Sequence, residues 1–411
     1  GGIMKYSIQV FLLFLLSAVA GLAYAGGENG KVGLSKDARA DIAASGMARY
    51  LGQFAPAATS DAGDGWLKHT YAPNYFGDGP MCILGTPYSL FTKAKNPDNL
   101  LIFLQGGGAC WQNFYFCNLF AEDQEPPPPP VGIWSDTSDF NTGPLENPLA
   151  DYSVVYLPYC DGSVFTGDSD VLDPNLPSGI RFHRGLENAS AGVDMARALF
   201  PDAKRIVVAG SSAGGVGAAS FTPFLVRMAY GDTQQLSVIN DAGPVAVNLA
   251  DTGGITARAW DWQFDQYYPA SCTDCDALGQ QTGLIKWRLD NDSTIREAFY
   301  STDGDATDRF FLQVPTQELY RDLIVSEHLP INAAHPQRYK VFIRSGDDSH
   351  TALQDPFLFY NGTANGVPLF EWIEDMLRPG TRAYREKGKG KGPKKTSWTN
   401  IVEDFVPVPA P

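Results

Sequence analysis

Short apolar runs separated by longer amphipathic stretches recur along the chain. Leu100–Leu104, Tyr152–Leu157, Arg205–Ala209, Leu236–Asn240 and Tyr339–Ile343 are compact and rich in β-branched or aromatic residues, the pattern of strands buried on both faces. Arg309–Val314 reads as one more strand. Leu186–Leu199 has helical spacing with Asn188 and Asp194 turned outward, the small residues Gly215–Ser220 suit the opening of a helix, and Phe370–Leu377 begins a closing helix. Strands alternating with helical stretches predict an α/β fold with a mostly parallel central sheet flanked by helices.

The two ends depart from this pattern. Met4-Lys5, the apolar Val10–Leu16 and the small-x-small Ala23-Tyr24-Ala25 are the three parts of a cleavable secretory signal. Residues 1–25 are therefore expected to be an upstream remnant and signal peptide, and the mature protein to be secreted or periplasmic. No later segment reaches the ~18 apolar residues of a membrane span. Residues 26–384 are expected to form a single domain. Within it, Pro126–Pro130 predicts a stiff surface loop, and 251–303, rich in Trp, Tyr and acidic residues, predicts a small cap over the sheet's carboxyl edge. Residues 385–411, basic and then Pro-rich, have no means of building a core and are expected to be a flexible tail.

Composition narrows the function classes. A formal net charge of −15 argues against nucleic acid and anionic membranes as partners, and makes a neutral glycan more comfortable than polygalacturonate. Six cysteines in an exported chain read as three disulfides rather than a metal site. Cys110 and Cys117 are close in sequence, as are Cys272 and Cys275, which leaves Cys82 with Cys160, a pairing the sequence allows without proving. Five scattered histidines without ligand spacing imply no metal, and nothing in the chain calls for a cofactor. Oligomeric state is not legible.

The chemistry concentrates at RIVVAGSSAGG, Arg205 to Gly215. A strand running into a G-x-S-x-G turn and then a helix is the context of a nucleophile elbow, with Ser212 as nucleophile. A base must follow, and among His328, His335 and His350 only His350 sits on a polar loop just past a strand; the other two are expected to face solvent. The acid should follow the 309–314 strand. Glu318 is the nearest carboxylate and the first choice, with Asp322, Asp347 and Asp348 as alternatives. Negative charge developing on a carbonyl oxygen needs backbone N–H donors, one from the residue after the nucleophile. That residue is Ala213, and the glycine run after strand 100–104 offers Gly107 and Gly108. Trp111, Phe114 and Tyr115 beside that run are candidate pocket residues.

FLQGGGACW with Cys117 following, LPYCDGSVFTGD, FHRG at 182–185, VAGSSAGG, SVINDAGP and GDDSHTAL together resemble the pectin acetylesterase and Notum family of carboxylesterases. The resemblance runs from about Cys82 to Leu353. It implies an α/β-hydrolase-like fold, a Ser-Asp-His triad without cofactor, Ser212 as nucleophile and His350 as base. It further implies Gly107, Gly108 and Ala213 as oxyanion donors, with a Cys110–Cys117 disulfide bracing their loop. The chain departs from the family at the acid, where Gln317-Glu318 stands in place of Asp-Glu. The expected activity is a secreted serine carboxylesterase removing acetyl or another small acyl group from a polysaccharide. The alternatives are an esterase on a lipid, polyester or aromatic ester, and a catalytically weakened glycan-binding relative.

Overall fold

The computed structural model of the protein describes residues 33–118, 127–135, 147–176, 178–232, 234–245, 258–275, 281–378 and 398–409. The leader reading, the start of the polyproline run, the first part of the expected cap and the lysine-rich stretch before 398 lie outside these residues.

A ten-stranded sheet organises the chain. Its spatial order is Ala58–Gly63, Trp66–Tyr71, Tyr88–Lys93, Tyr152–Leu157, Asn96–Leu104, Arg205–Ser211, Gln235–Asp241, Arg296–Thr302, Tyr339–Arg344 and Ile401–Val402. The first three strands run antiparallel into Tyr152–Leu157, and from there every pairing is parallel. The mostly parallel α/β-hydrolase-like sheet expected from the sequence is therefore present. Side chains alternate across it, as the period of two requires. Leu100, Ile102 and Leu104 enter one apolar cluster, and Leu101 and Phe103 the other. On one face the clusters are completed by the helices Gly185–Leu199, Ala213–Ala219, Thr222–Tyr230 and Gln317–Ala334. On the other they are completed by Pro356–Asn361 and Leu369–Leu377.

Several sequence expectations need correction. In place of the expected strand 309–314 the chain is helical from Ala306 to Phe311, its first turn capped by the Asp305 carboxylate accepting from the Asp308 amide. The strand in question is Arg296–Thr302, whose mixed Arg-Glu-Ala-Phe-Tyr-Ser-Thr pattern hid a segment buried almost throughout. A short apolar run cannot by period alone be assigned to strand or helix. The cap shrinks accordingly, because Thr282–Asn291 is a helix of the main body and Arg296–Thr302 a sheet strand; of the expected cap, 258–275 lies over the site. The tail reading also fails for 398–409. Ile401–Val402 extends the sheet beside Phe342–Ile343, and the Trp372 Nε1–H donates to the Thr399 carbonyl at 2.7 Å. Asn188 points inward, exchanging hydrogen bonds with the backbone of Met81. His328 is fully buried against Phe299 and Tyr339, and so does not face solvent.

All three cysteine pairs are disulfides: Cys82–Cys160, Cys110–Cys117 and Cys272–Cys275. The second closes a small hairpin, Gly108–Trp111 against Phe114–Cys117, at the carboxyl edge of the sheet.

Candidate active site

Ser212 stands between the strand Arg205–Ser211 and the helix Ala213–Ala219 with φ +56° and ψ −123°, dihedrals that cost a non-glycine residue of order 1–3 kcal/mol. Its surroundings hold it there. The Ser212 amide donates to the Asp241 carbonyl at 2.8 Å, and the Ser212 carbonyl accepts from the Val216 amide at 3.1 Å. Close approach of helix to sheet requires glycine at 214, where a Cβ would come within 2.0 Å of the Leu104 carbonyl oxygen. The glycine run beside it is equally constrained: Gly108 has φ +81°, and a Cβ there would meet the Phe116 carbonyl oxygen at 1.9 Å.

His350 follows the strand Tyr339–Arg344 as expected, and its Nδ1 lies 2.8 Å from Asp305 Oδ2 and 3.6 Å from Asp308 Oδ1. Its other nitrogen, Nε2, is shielded from solvent and has no hydrogen-bond partner among the described residues. Ser212, His350, Gly106, Gly107, Gly108, Thr307 and Phe311 line one open cleft. Burial disfavours the imidazolium, but the Asp308 and Asp305 carboxylates outweigh it and push His350 up to about 9. Burial and the charge of Asp305 push the Asp308 carboxyl well above the usual carboxylate range. Asp305, Asp308 and His350 offer donor atoms within 4.8 Å of one another, the one such group among the described residues. Those atoms are already spent on each other, on the helix cap and on the Tyr320 hydroxyl, which makes the group a hydrogen-bonded acid–base cluster.

The expected carboxylates lie elsewhere. Glu318 and Asp322 are exposed on the helix Gln317–Ala334, Asp348 is exposed, and Asp347 pairs with Arg344 at 2.9 Å. Glu318 is thus corrected to Asp305 as the carboxylate beside His350. The misplaced strand caused the error: Asp305 follows the end of Arg296–Thr302 by three residues, in the turn Asp303-Gly304-Asp305, and caps the next helix. A carboxylate in a glycine turn before a helix was the signal that could have found it.

Asp241, the aspartate of the SVINDAGP motif, ties the two halves of the site together. Its buried carboxylate accepts from the Ser211 hydroxyl at 2.6 Å, the Ala352 amide at 2.9 Å and the Leu353 amide at 3.0 Å. One side chain therefore holds the residue before Ser212 and the residues just past His350.

A second cavity opens from Ser212 and is lined by Ala213, Trp111, Val216, Trp262, Phe264 and Phe311 among others. Trp262 closes it by donating its Nε1–H to the Cys110 carbonyl at 2.7 Å, which ties the cap segment to the disulfide hairpin. Of the three aromatics flagged beside the glycine run, Trp111 lines this cavity and Phe114 stacks on it at 3.8 Å, whereas Tyr115 turns away to Asp173.

Residues 64–253 match the family model described as pectinacetylesterase. The "palmitoleoyl-protein carboxylesterase notum1a" of Danio rerio is 26% identical over 202 residues, 47% of this chain and 36% of that protein. The chain thus matches about a third of that relative's length. The segment covered by the family model holds the glycine run, the Cys110–Cys117 disulfide and the Ser212 elbow, and ends before Asp305 and His350. With the α/β-hydrolase-like sheet that presents these motifs, the matches support a relation of the chain, over less than half of its length, to the pectin acetylesterase and Notum family of carboxylesterases.

Proposed function

We propose that this protein is an exported serine carboxylesterase working through an acyl-serine intermediate. The observation that carries the reading is the His350 imidazole, anchored at Nδ1 by Asp305 and free at Nε2, in the same cleft as a serine on a strained elbow. In this reading Ser212 Oγ attacks the ester carbonyl while His350 Nε2 takes its proton. The tetrahedral oxyanion is received by the amides of Ala213, Gly107 and Gly108. The alcohol leaves with the proton from His350, and water, deprotonated by the same nitrogen, releases the acid and restores Ser212. Three disulfides support export.

The name of the matched family model points to acetyl groups on a polysaccharide. A second reading, esters of longer apolar acids, is favoured by the cavity at Ser212, whose wall is built from the apolar side chains of Trp111, Trp262, Phe264 and Phe311. The test is hydrolysis of a short-chain nitrophenyl ester, and acetate release from acetylated pectin, xylan and chitin oligomers, by the parent protein and by Ser212→Ala. Loss of all turnover in the variant is expected. Undiminished turnover there would remove Ser212 from the mechanism, and inactivity of both proteins on every ester would favour a binding protein.

A further inference from the structure

Two carboxyl groups, not one, stand beneath His350. Asp305 and Asp308 are both buried, and the helix Ala306–Phe311 fixes them together because the Asp308 amide donates to Asp305 Oδ1 at 2.8 Å. Asp308 Oδ1 is 3.6 Å from the imidazole Nδ1. Its other oxygen is 2.7 Å from the Tyr320 hydroxyl, which lies 3.1 Å from Ser301 Oγ. A single carboxylate suffices to orient a histidine base, so the second group calls for an account.

The charges facing the cluster come from every element around it. The helix Gln317–Ala334 presents Tyr320 and the strand Gln235–Asp241 ends in Asp241, whose charge is felt at both His350 and Asp308. On the histidine loop Asp347 is neutralised by Arg344. Arg309, on the cluster's own helix, turns back to the Gly304 carbonyl. Arg258 lines the adjoining cavity with its guanidinium 4.9 Å from the Trp111 ring centre. The cluster is therefore rich in negative charge. Two buried carboxylates this close cannot both ionise cheaply, and they hold a proton between them and any neighbouring base.

Resting on the reading of Ser212 and His350 given above, we propose that Asp308 is a positioning residue that shares with Asp305 the holding of His350, so that a two-carboxyl cluster carrying one exchangeable proton sets the pH at which the imidazole becomes a free base. With both carboxylates charged the proton is held on His350 until rising pH removes it to solvent, and Nε2 can then accept from Ser212. While the proton sits on His350, the base is blocked. Removing the Asp308 charge lets His350 lose its proton at lower pH.

The experiment is the pH profile of kcat/KM for Asp308→Asn, in which the amide carbonyl can still accept from Tyr320. The acidic limb of the profile is expected to fall by at least about one pH unit, from near 9 towards the ordinary histidine value of about 6.5. A limb that stays within about 0.3 unit overturns the proposal. Asp305→Asn and the double variant Asp305→Asn/Asp308→Asn give a second reading. Asp308 should sustain at least tenfold more turnover in the single variant than in the double, and equal rates overturn its role. Asp308→Ser, which also removes the charge, replaces Asp308→Asn if the amide prevents folding. Titration of the His350 ring by NMR in Ser212→Ala and in Ser212→Ala/Asp308→Asn reads the same shift without turnover. A Ser212 reading that fails and an Asp308 reading that fails are thereby told apart.

Discussion

Asp241→Asn should loosen both halves of the site at once. The native carboxylate accepts three buried hydrogen bonds, from the Ser211 hydroxyl and the Ala352 and Leu353 amides, and the residues donating them are themselves buried. An asparagine in the same place keeps one acceptor oxygen and turns an NH₂ toward donors it cannot satisfy. At ~1–3 kcal/mol for each buried polar group left unpaired, the loss is about 2–4 kcal/mol for Asp241→Asn. It rises to about 3–9 kcal/mol for Asp241→Ala, with three donors left unpaired, a large part of the ~5–15 kcal/mol that stabilises a folded domain. The catalytic effect is separate. Without the clamp the 350–353 loop no longer shares an anchor with the Ser212 turn, and a displacement of about 1 Å at a reacting group costs of order 10² in rate. Urea denaturation under non-reducing conditions measures the first effect and kcat/KM the second. An Asp241→Asn protein within about 1 kcal/mol of the parent and of unchanged turnover would refute the clamp.

The disulfides should divide their roles. Cys82 and Cys160 are 78 residues apart, so removing both is expected to cost about 4.5 kcal/mol on the loop-entropy relation, whereas the Cys110–Cys117 pair, 7 apart, is worth about 2.4 kcal/mol. The smaller change should nevertheless harm turnover more, because it frees the hairpin that follows Gly107; denaturation midpoints and esterase rates on the two double variants separate these effects. Val216→Trp should fill the cavity at Ser212 and lower kcat/KM at least tenfold for octanoyl relative to acetyl nitrophenyl esters, and an unchanged chain-length preference would exclude that cavity as the acyl site. Because folding pushes His350 from about 6.5 up to about 9, its protonated form stabilises the fold. That contribution is complete below about pH 6.5 and lost as pH rises through about 9, while turnover, which needs the free base, climbs over the same interval. Parallel melting and kcat/KM series from pH 6 to 10 check the opposed trends, and parallel trends would contradict them.

What the chain declares by itself is what is encoded in contiguous residues. The Ser212 elbow needs a strand, a glycine on each side and small residues after it, and all of these fall between Arg205 and Ser220. The glycine run before Cys110 and the seven-residue spacing to Cys117 are likewise local, and so is His350 on the loop after a plain apolar strand. The parallel sheet follows from the same short apolar runs, because strands covered on both faces are apolar at nearly every position.

The rest depended on packing. Arg309-Phe310-Phe311-Leu312 suits a strand as well as a helix, and only the Asp305 cap and the neighbouring Arg296–Thr302 strand decide between them. That choice sets buried Asp305, and not exposed Glu318, beside His350. Residues 398–409 look like tail until the free edge of Tyr339–Arg344 supplies a pairing partner for Ile401–Val402. Asp241 meets Ala352 and Leu353 across more than a hundred residues of sequence, and Asp308 gains its meaning only from a histidine 42 positions later. Local pattern sets which backbone a segment prefers and which glycines the turns require. Which carboxylate loses its water, and which imidazole it then faces, is settled by burial and distance, and these exist only once the sheet has brought its carboxyl ends together.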